Sequence, residues 1–479
     1  MSSAALAAGV PAHRQLTGAR LWMAIIAILA AEVLGTLESS MIFTALPAIA
    51  RDFGGLGKTS HLITAYLLTQ AVAAAIGGRL GDMYGRRRVL LIVMTCCGVG
   101  SALSAFHPAF EWVVFGRVLQ GASGAILPLG FGLVRELVPE KDTPFFVGVV
   151  TGAYAASGAL GFVLGGVLVD YGGWRLIFWF TAGLAPLVIA AAWLAIPPMA
   201  ATGLRQRIDY VGGVLFLLGV GGLLQGIGNI PGHGLLALST GGLFLFSIGL
   251  LALFTWYELR HPSPLIDVRL LRHRQITIAN LSFVLLGLGP LQMPFVLLSF
   301  AQQPLWTGAG LGVSATVAAL LKLPSNIVAG VAAPISGLIA ERLGSRAVMM
   351  IGGLLSIFGW GMLIFLHESL APLMLAFIVI ASSLAFVMTA TPTLIMEIAP
   401  AARTAEATGL SYVFRAVGLA AGVQVATALL ALDTITGDAG AQYPTERAYV
   451  GTFSFITGVA TALTLLILLL PRARKQKVR

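Results

Sequence analysis

Fourteen apolar runs, each about long enough to cross a bilayer, leave this chain few folds to choose from. They lie near 21–47, 59–80, 89–107, 112–137, 145–169, 175–197 and 210–230, then 235–257, 276–301, 311–340, 346–366, 370–396, 406–431 and 448–470. In hydrocarbon every backbone N–H and C=O must be satisfied, and a helix does this within one segment, so each run is predicted to be a helix. Composition agrees: of 479 residues, 58% are hydrophobic and only 10% charged, with a mean hydropathy of +0.93. A soluble domain carries roughly a quarter charged residues, so this chain lacks the polar surface that water requires. The expectation is an all-α polytopic membrane protein with an even number of spans and both termini on one side.

The charges set the orientation. A net charge of +10 would suggest nucleic acid in a soluble protein. Here the basic residues fall in short loops between apolar runs, where they orient the chain, so no nucleic-acid partner is expected. With the amino terminus inside, one set of loops collects Arg86 to Arg88, Arg135, Lys141, Arg205, Arg207, Arg260, Arg269, Arg272, Arg274, Arg342, Arg346 and Arg403. A basic tail at 472–479 joins them. The opposite loops hold only Arg51, Lys58, Arg175 and Arg447, against Asp52, Glu111, Asp433, Asp438 and Glu446. The bias places both termini in the cytoplasm and the protein in a cell membrane, read here as a bacterial inner membrane. His13 and Arg14 precede the first run without a signal-peptide core. Cys96 and Cys97 are adjacent and offer neither a disulfide framework nor metal-ligand spacing, so no metal is expected.

One loop returns in a second copy. Gly78-Arg79-Leu80-Gly81-Asp82-Met83-Tyr84-Gly85-Arg86-Arg87-Arg88 joins the second and third runs. Gly337-Leu338-Ile339-Ala340-Glu341-Arg342-Leu343-Gly344-Ser345-Arg346 matches it at Gly78/Gly337, Asp82/Glu341, Gly85/Gly344 and Arg87/Arg346. Gly148 pairs with Gly409, and Gly161 with Gly422, in the fifth run of each set. The chain therefore divides into a cytoplasmic segment 1–20, a six-helix bundle 21–200, two inserted helices 201–262, a second six-helix bundle 263–471 and the tail 472–479. Parallel repeats of this kind place a substrate site between the halves, near the bilayer midplane.

These features resemble the major facilitator superfamily, specifically its fourteen-span drug:proton antiporter family. The loop at 78–88 is similar to the superfamily's motif between helices two and three. Arg117-Val118-Leu119-Gln120-Gly121-Ala122-Ser123-Gly124 resembles its helix-four motif, and the resemblance implies that Arg117 belongs to a proton pathway. Leu37-Glu38-Ser39-Ser40 through Ala45-Leu46-Pro47 is similar to the helix-one motif, with Glu38 where aspartate is usual. Ile208-Asp209-Tyr210-Val211-Gly212 resembles the entry to the inserted pair, Pro264-Leu265-Ile266-Asp267 with Leu270 its exit, and Arg415 with Gly418 a motif of helix thirteen. Gly158, Gly161, Gly165 and Gly166 fit the fifth-helix antiporter motif, but Phe162 stands where that motif has proline, which keeps other modes of coupling among the alternatives.

Several side chains are candidates for the chemistry. A charged carboxylate at mid-span costs at least ~2.5–3.5 kcal/mol, so Glu32 and Glu38 in the first helix are candidates for taking up and releasing protons. Six residues apart, they point about 120° apart around the helix and need not serve one site. Arg117 keeps its proton and can only bias a neighbouring carboxylate. Lys322, well inside the tenth run, is read as a partner for Glu32 or for an acid on the cargo, or as a cation snorkelling outward. Gly158, Gly161, Gly165 and Gly166 permit close helix approach and form a packing hinge. In the repeated loops Gly78, Asp82, Gly85, Arg86, Arg87, Glu341, Gly344 and Arg346 form a gate, Asp82 bridging to Arg86 or to the other half. A cavity for lipophilic cargo would draw on Tyr66, Gln70, Gln120, Tyr154, Asn280, Gln292, Phe295, Lys322, Tyr412 and Arg415.

Other chemistries find no footing. Gly55-Leu56-Gly57-Lys58-Thr59 imitates the end of a phosphate-binding loop, yet Asp52 replaces its first glycine and no strand precedes it. No HExxH or GxSxG spacing supports a hydrolase, and none of the seven histidines sits mid-helix for a proton relay. The function expected is proton-coupled export of small amphipathic compounds by a monomer, with the proton gradient as its energy source and no cofactor. The alternatives are a metabolite, siderophore or lipid transporter working by symport or uniport, and a non-transporting membrane sensor or scaffold.

Overall fold

The computed structural model describes residues 16–470 except 54–55, 108, 140, 199–208, 235–236, 263, 265, 267, 399–403 and 438–440. His13, Arg14, Arg205, Arg207, Leu265, Asp267, Arg403, Asp438 and the tail 472–479 lie outside the described residues, as do the side chains of Lys58 and Glu341.

Among the described residues fourteen helices are long and apolar enough to cross a membrane. The first half holds α1 (Gly18–Phe53), α2 (Leu56–Tyr84), α3 (Arg86–Phe106), α4 (Phe110–Leu137), α5 (Thr143–Gly172) and α6 (Arg175–Ala195). The inserted pair is α7 (Tyr210–His233) and α8 (Leu238–Arg260). The second half holds α9 (Arg274–Gln302), α10 (Ala315–Leu343), α11 (Ser345–Met362), α12 (Leu370–Ile398), α13 (Thr404–Leu430) and α14 (Glu446–Leu468). A two-stranded antiparallel hairpin, β1 (Thr434–Thr436) and β2 (Gln442–Pro444), precedes α14. The helix edges follow the apolar runs, with α1 continuing six residues past Pro47.

Two helices are interrupted. In α4 the turn Gly121–Ala125 tightens to 3₁₀ geometry. In α9 the helix stops at Leu288, Gly289 leaves helical geometry, and Pro290–Gln292 form a 3₁₀ turn. The ring's Cδ disfavours helical geometry for the residue before proline, and Gly289, with φ −121° and ψ −84°, gives way where Pro47 in α1 is carried through. Gln292 mends the break: its Nε2 donates to the carbonyls of Gly287 (2.7 Å) and Leu419 (3.0 Å).

The repeat read from the loops governs the packing. α1 lies along α5, and α9 along α13; α2 meets α4 as α10 meets α12; α3 meets α6 as α11 meets α14. The result is two six-helix bundles of the same internal design. The halves touch through two reciprocal pairs, α2 with α13 and α5 with α10, and the inserted hairpin α7–α8 leans on α2 and α13.

The two rims of the protein differ. At the rim opposite the Arg86 loop, a Cβ added to Gly166 of α5 would sit 2.7 Å from the carbonyl oxygen of Ala315 in α10. There Asp170 accepts from the amides of Ala315 (3.1 Å) and Thr316 (2.9 Å), and Gln424 of α13 bonds Ser60 (3.2 Å) and Thr64 (3.0 Å) of α2. The buried apolar residues divide in step. Those of α1 from Leu37 onward join one continuous core with the second half, whereas Ala24–Leu34, Val89–Cys97, Ala125–Val138 and Ala185–Ile196 form a separate core toward the basic rim. The buried core is thus continuous between the halves at one rim and divided toward the other.

Candidate functional site

Two intramembrane charges of the first half, Arg117 and Glu38, meet in a chain of buried polar groups. Arg117 is carried seven residues into α4, about 10 Å along its axis, and is fully buried. Its Nη1 donates to Oε1 of Gln120 at 2.7 Å, one turn on. Gln120 Nε2 donates to Oγ of Ser101 at 2.7 Å, and Ser101 donates to Oε1 of Glu38 at 2.5 Å. Three helices, α4, α3 and α1, thus contribute one wire from guanidinium to carboxyl.

The remaining contacts hold Arg117 in place without pairing it. Its Nε and Nη1 reach the backbone carbonyls of Leu62 (3.4 Å) and Glu38 (3.3 Å), and its guanidinium carbon lies 4.1 Å over the ring of Tyr66. Tyr66 in turn bonds Ser123 (2.9 Å) and accepts from Gln70 (2.9 Å). Arg117 and Glu38 form none of the ion pairs among the described residues, and Nη2 of the one and Oε2 of the other have no hydrogen-bond partner. A cation and an acid are held close, each with one polar atom unpartnered. A fixed salt bridge would have used both.

Glu32 stands apart from this group, as its position around α1 requires. It is 2% exposed, its Oε1 lacks a partner, and that oxygen lies 3.3 Å from where a Cβ on Gly130 of α4 would be. Ile28 and Val150 close the same pocket. Lys322 does not meet Glu32. It lies in the α5–α10 seam, bonded to Asn326 (2.8 Å), with its Nζ 4.0 Å from the ring centroid of Phe162.

The repeated loop is tied within its own half through Arg86 and reaches beyond it through Arg79, which donates to the carbonyl of Pro264 (3.2 Å). Asp82 bonds Arg86 at 2.7 Å, and Arg86 extends to Oε1 of Glu136 (2.8 Å) and to the carbonyl of Gly132 (2.6 Å). Gly85 and Gly344 have φ of 90° and 84°, a region costly for side chains, so the glycine match between the loops is a backbone requirement. Arg87 donates to the carbonyl of Trp193 near the end of α6, and Arg346 to that of Leu468 at the end of α14 (2.9 Å). Gly78 has open space beside it.

The glycine hinge and the cavity candidates divide among several roles. Cβ atoms added to Gly161 and Gly165 would come within 2.7 Å of Ser40 and 2.6 Å of Thr44 on α1; Gly158 faces Thr36, while Gly166 faces α10. Gln292 and Phe295 are buried in α9, and Asn280 is buried with both amide atoms unpartnered. Tyr154 and Tyr412 are 41% and 46% exposed, and Arg415 lies 5.1 Å from the Tyr412 ring centroid. Sequence reasoning missed Ser101, Ser123, Glu136 and Asn326. Ser101 is one small polar residue in an apolar helix, and nothing in its neighbours along the chain announces the partner on α1.

Twelve helices in two matched bundles, an inserted pair and a seam between the bundles define a membrane transporter. The family model for the Major Facilitator Superfamily matches residues 28–423 and 284–479, and the chain belongs to that superfamily. It is similar to the tetracenomycin C resistance and export protein of Streptomyces glaucescens, 28% identical over 88% of this chain and 78% of that one. It is also similar to the multidrug resistance protein Stp of Mycobacterium tuberculosis, at 28% over 82% and 73%. A third relative, the probable actinorhodin transporter of Streptomyces coelicolor, is 32% identical over 75% of this chain and 61% of that one. Among solved structures, a D-xylose-proton symporter has a TM-score of 0.63 at 13% identity, covering 95% of this chain and 99% of the other, which bears on the fold alone. The protein is a multi-pass membrane transporter rather than an enzyme.

Proposed function

We propose that the protein exports small amphipathic or lipophilic compounds, drugs among them, in exchange for protons by alternating access. The observation that carries this reading is the buried chain Arg117–Gln120–Ser101–Glu38, with its two open valences. The names of the relatives, an antibiotic export protein and a multidrug resistance protein, point to the same class of cargo.

The geometry supports a specific cycle. With the basic rim in the cytoplasm, as the positive-inside rule requires, the side on which the core is divided faces inward, and cargo loads from there. A neutral Glu38 sits comfortably against Ser101. Once ionised, it is a buried charge needing a cation, and Arg117 Nη2 is the free donor at hand. Turning Arg117 from Gln120 toward Glu38 pulls α4 and α1 together, and proton binding from outside reverses the pull. Each proton returning inward brings ~2.3 kcal/mol per 100 mV. The reading needs no cofactor, metal or nucleic acid, and takes a monomer in a bacterial inner membrane as the working unit, with residues 21–200 and 263–471 as the moving bodies.

Ethidium efflux from proteoliposomes under an imposed pH gradient tests it. Wild-type efflux should collapse with the gradient and be lost in Glu38→Gln; Glu32→Gln reports whether the second acid takes part. Efflux indifferent to the gradient sinks proton coupling, and full activity in Glu38→Gln moves the proton site elsewhere.

A further inference from the structure

Lys322 is out of keeping with its surroundings. It lies between Leu321 and Leu323, about 10 Å along α10 from Ala315, and is 3% exposed. None of the ion pairs among the described residues includes it. An ammonium has three donors and no acceptor. One reaches Asn326 Oδ1 at 2.8 Å, and the charge rests 4.0 Å from the ring centroid of Phe162, which packs on Phe43 at 6.1 Å between centroids. Two ammonium donors are left over, and Nδ2 of Asn326 is buried without a partner too.

Burying an unpaired ammonium is far costlier than burying a neutral polar group. Packing alone does not call for it, since a methionine would fill the same space between α5 and α10. The surplus is all of one kind. Spare N–H donors, one of them charged, stand beside the aromatic ring of Phe162 and match a carboxylate or phenolate attached to an aromatic body. The location adds a consequence: Phe162 belongs to one half and Lys322 to the other, so a group held between them is sensed by both.

We infer that Lys322 and Asn326, beside the ring of Phe162, form an anion-recognition pair in the α5–α10 seam, and that the cargo includes aromatic acids. The inference rests on the export reading for the word cargo, while the binding site stands on its own geometry.

The test uses the purified full-length protein and an isosteric pair of probes, 2-naphthoate and 2-naphthamide, with affinities measured by equilibrium dialysis. Wild type should prefer the acid by about tenfold or more, the ratio that a charge-assisted hydrogen bond supplies. Lys322→Met should remove the preference by weakening the acid and leaving the amide unchanged, which also shows that the variant is folded. Lys322→Arg should keep the preference, and Asn326→Ala should lose part of it. Absence of preference in wild type overturns the inference, as does equal weakening of both probes in Lys322→Met. The same preparations reconstituted for ethidium efflux separate the two readings. Efflux without a preference for the acid leaves export standing and removes this site; a Lys322-dependent preference without efflux does the reverse.

Discussion

The two halves share a scaffold and differ in chemistry. Glycine seams join α1 to α5 and α9 to α13; Cβ atoms added to Gly418 and Gly422 would collide with the α9 backbone at 2.4 Å and 2.6 Å. Arg87 and Arg346 reach matching carbonyls at the ends of α6 and α14. The carboxyls are a different matter. Glu32, Glu38 and Arg117 lie buried in the first half, while the corresponding depth of the second offers the amides of Asn280 and Gln292. Gln292 is spent on repairing the break in α9. The first copy therefore carries the buried carboxyls with Arg117, while the buried cation of the second copy, Lys322, lies in the α5–α10 seam. A repeat constrains backbone approach, because glycine contacts recur wherever helices cross alike, but it places no demand on which copy bears charge.

That division can be broken experimentally, starting where the effect is largest. Glu38→Gln should reduce gradient-driven efflux to background, whereas Gln292→Glu in the other half should not rescue it; rescue would mean that the halves are chemically interchangeable. Next come the seams. Gly165→Val and Gly422→Val should each destabilise by about 1–3 kcal/mol or more, because the added methyls meet α1 and α9 in close contact. Thermal unfolding of the purified variants should show comparable losses in both halves, and a loss confined to one would remove the shared scaffold. Asp170→Ala removes an acceptor from the first amides of α10, a contact worth about 0.3–1 kcal/mol. A cysteine at Ser299, buried in α9 and lining the same cavity as Asp170, should then react faster with a membrane-impermeant thiol reagent added at that rim; an unchanged rate would show that Asp170 does not help hold the halves together there. An effect of the same size, about 0.3–1 kcal/mol, is expected from each of Arg87→Ala and Arg346→Ala as a cation lost from a helix C-terminus. The two should match within error in unfolding midpoint.

Much of this was legible in the residues. Fourteen apolar runs gave the helices, and the glycine and charge matches at 78–88 and 337–346 gave the repeat, because span length and positive φ act locally. The loop's Asp82–Arg86 bridge is likewise one helical turn long. Less was legible at the site. Glu38, Arg117 and Gln120 were singled out as polar groups in apolar helices, but their connection through Ser101 was not, since it joins residues 63 apart that only packing brings together. The pairing of Lys322 with Glu32 was an open possibility on sequence. The structure instead sets Lys322 beside Phe162 in the seam and Glu32 beside Gly130 inside one half.

By itself, then, the sequence determined what each segment must do in a bilayer: which stretches span, where the backbone turns through positive φ, and which side chains are too polar to be idle. Those are properties of single segments against a uniform solvent. Only the tertiary structure decided which polar groups share hydrogen bonds, at which rim the halves share a core, and which cation is left with donors to spare. Such outcomes depend on the relative rotation of helices distant in the chain, and a buried donor's partner is set by that rotation rather than by its neighbours in sequence.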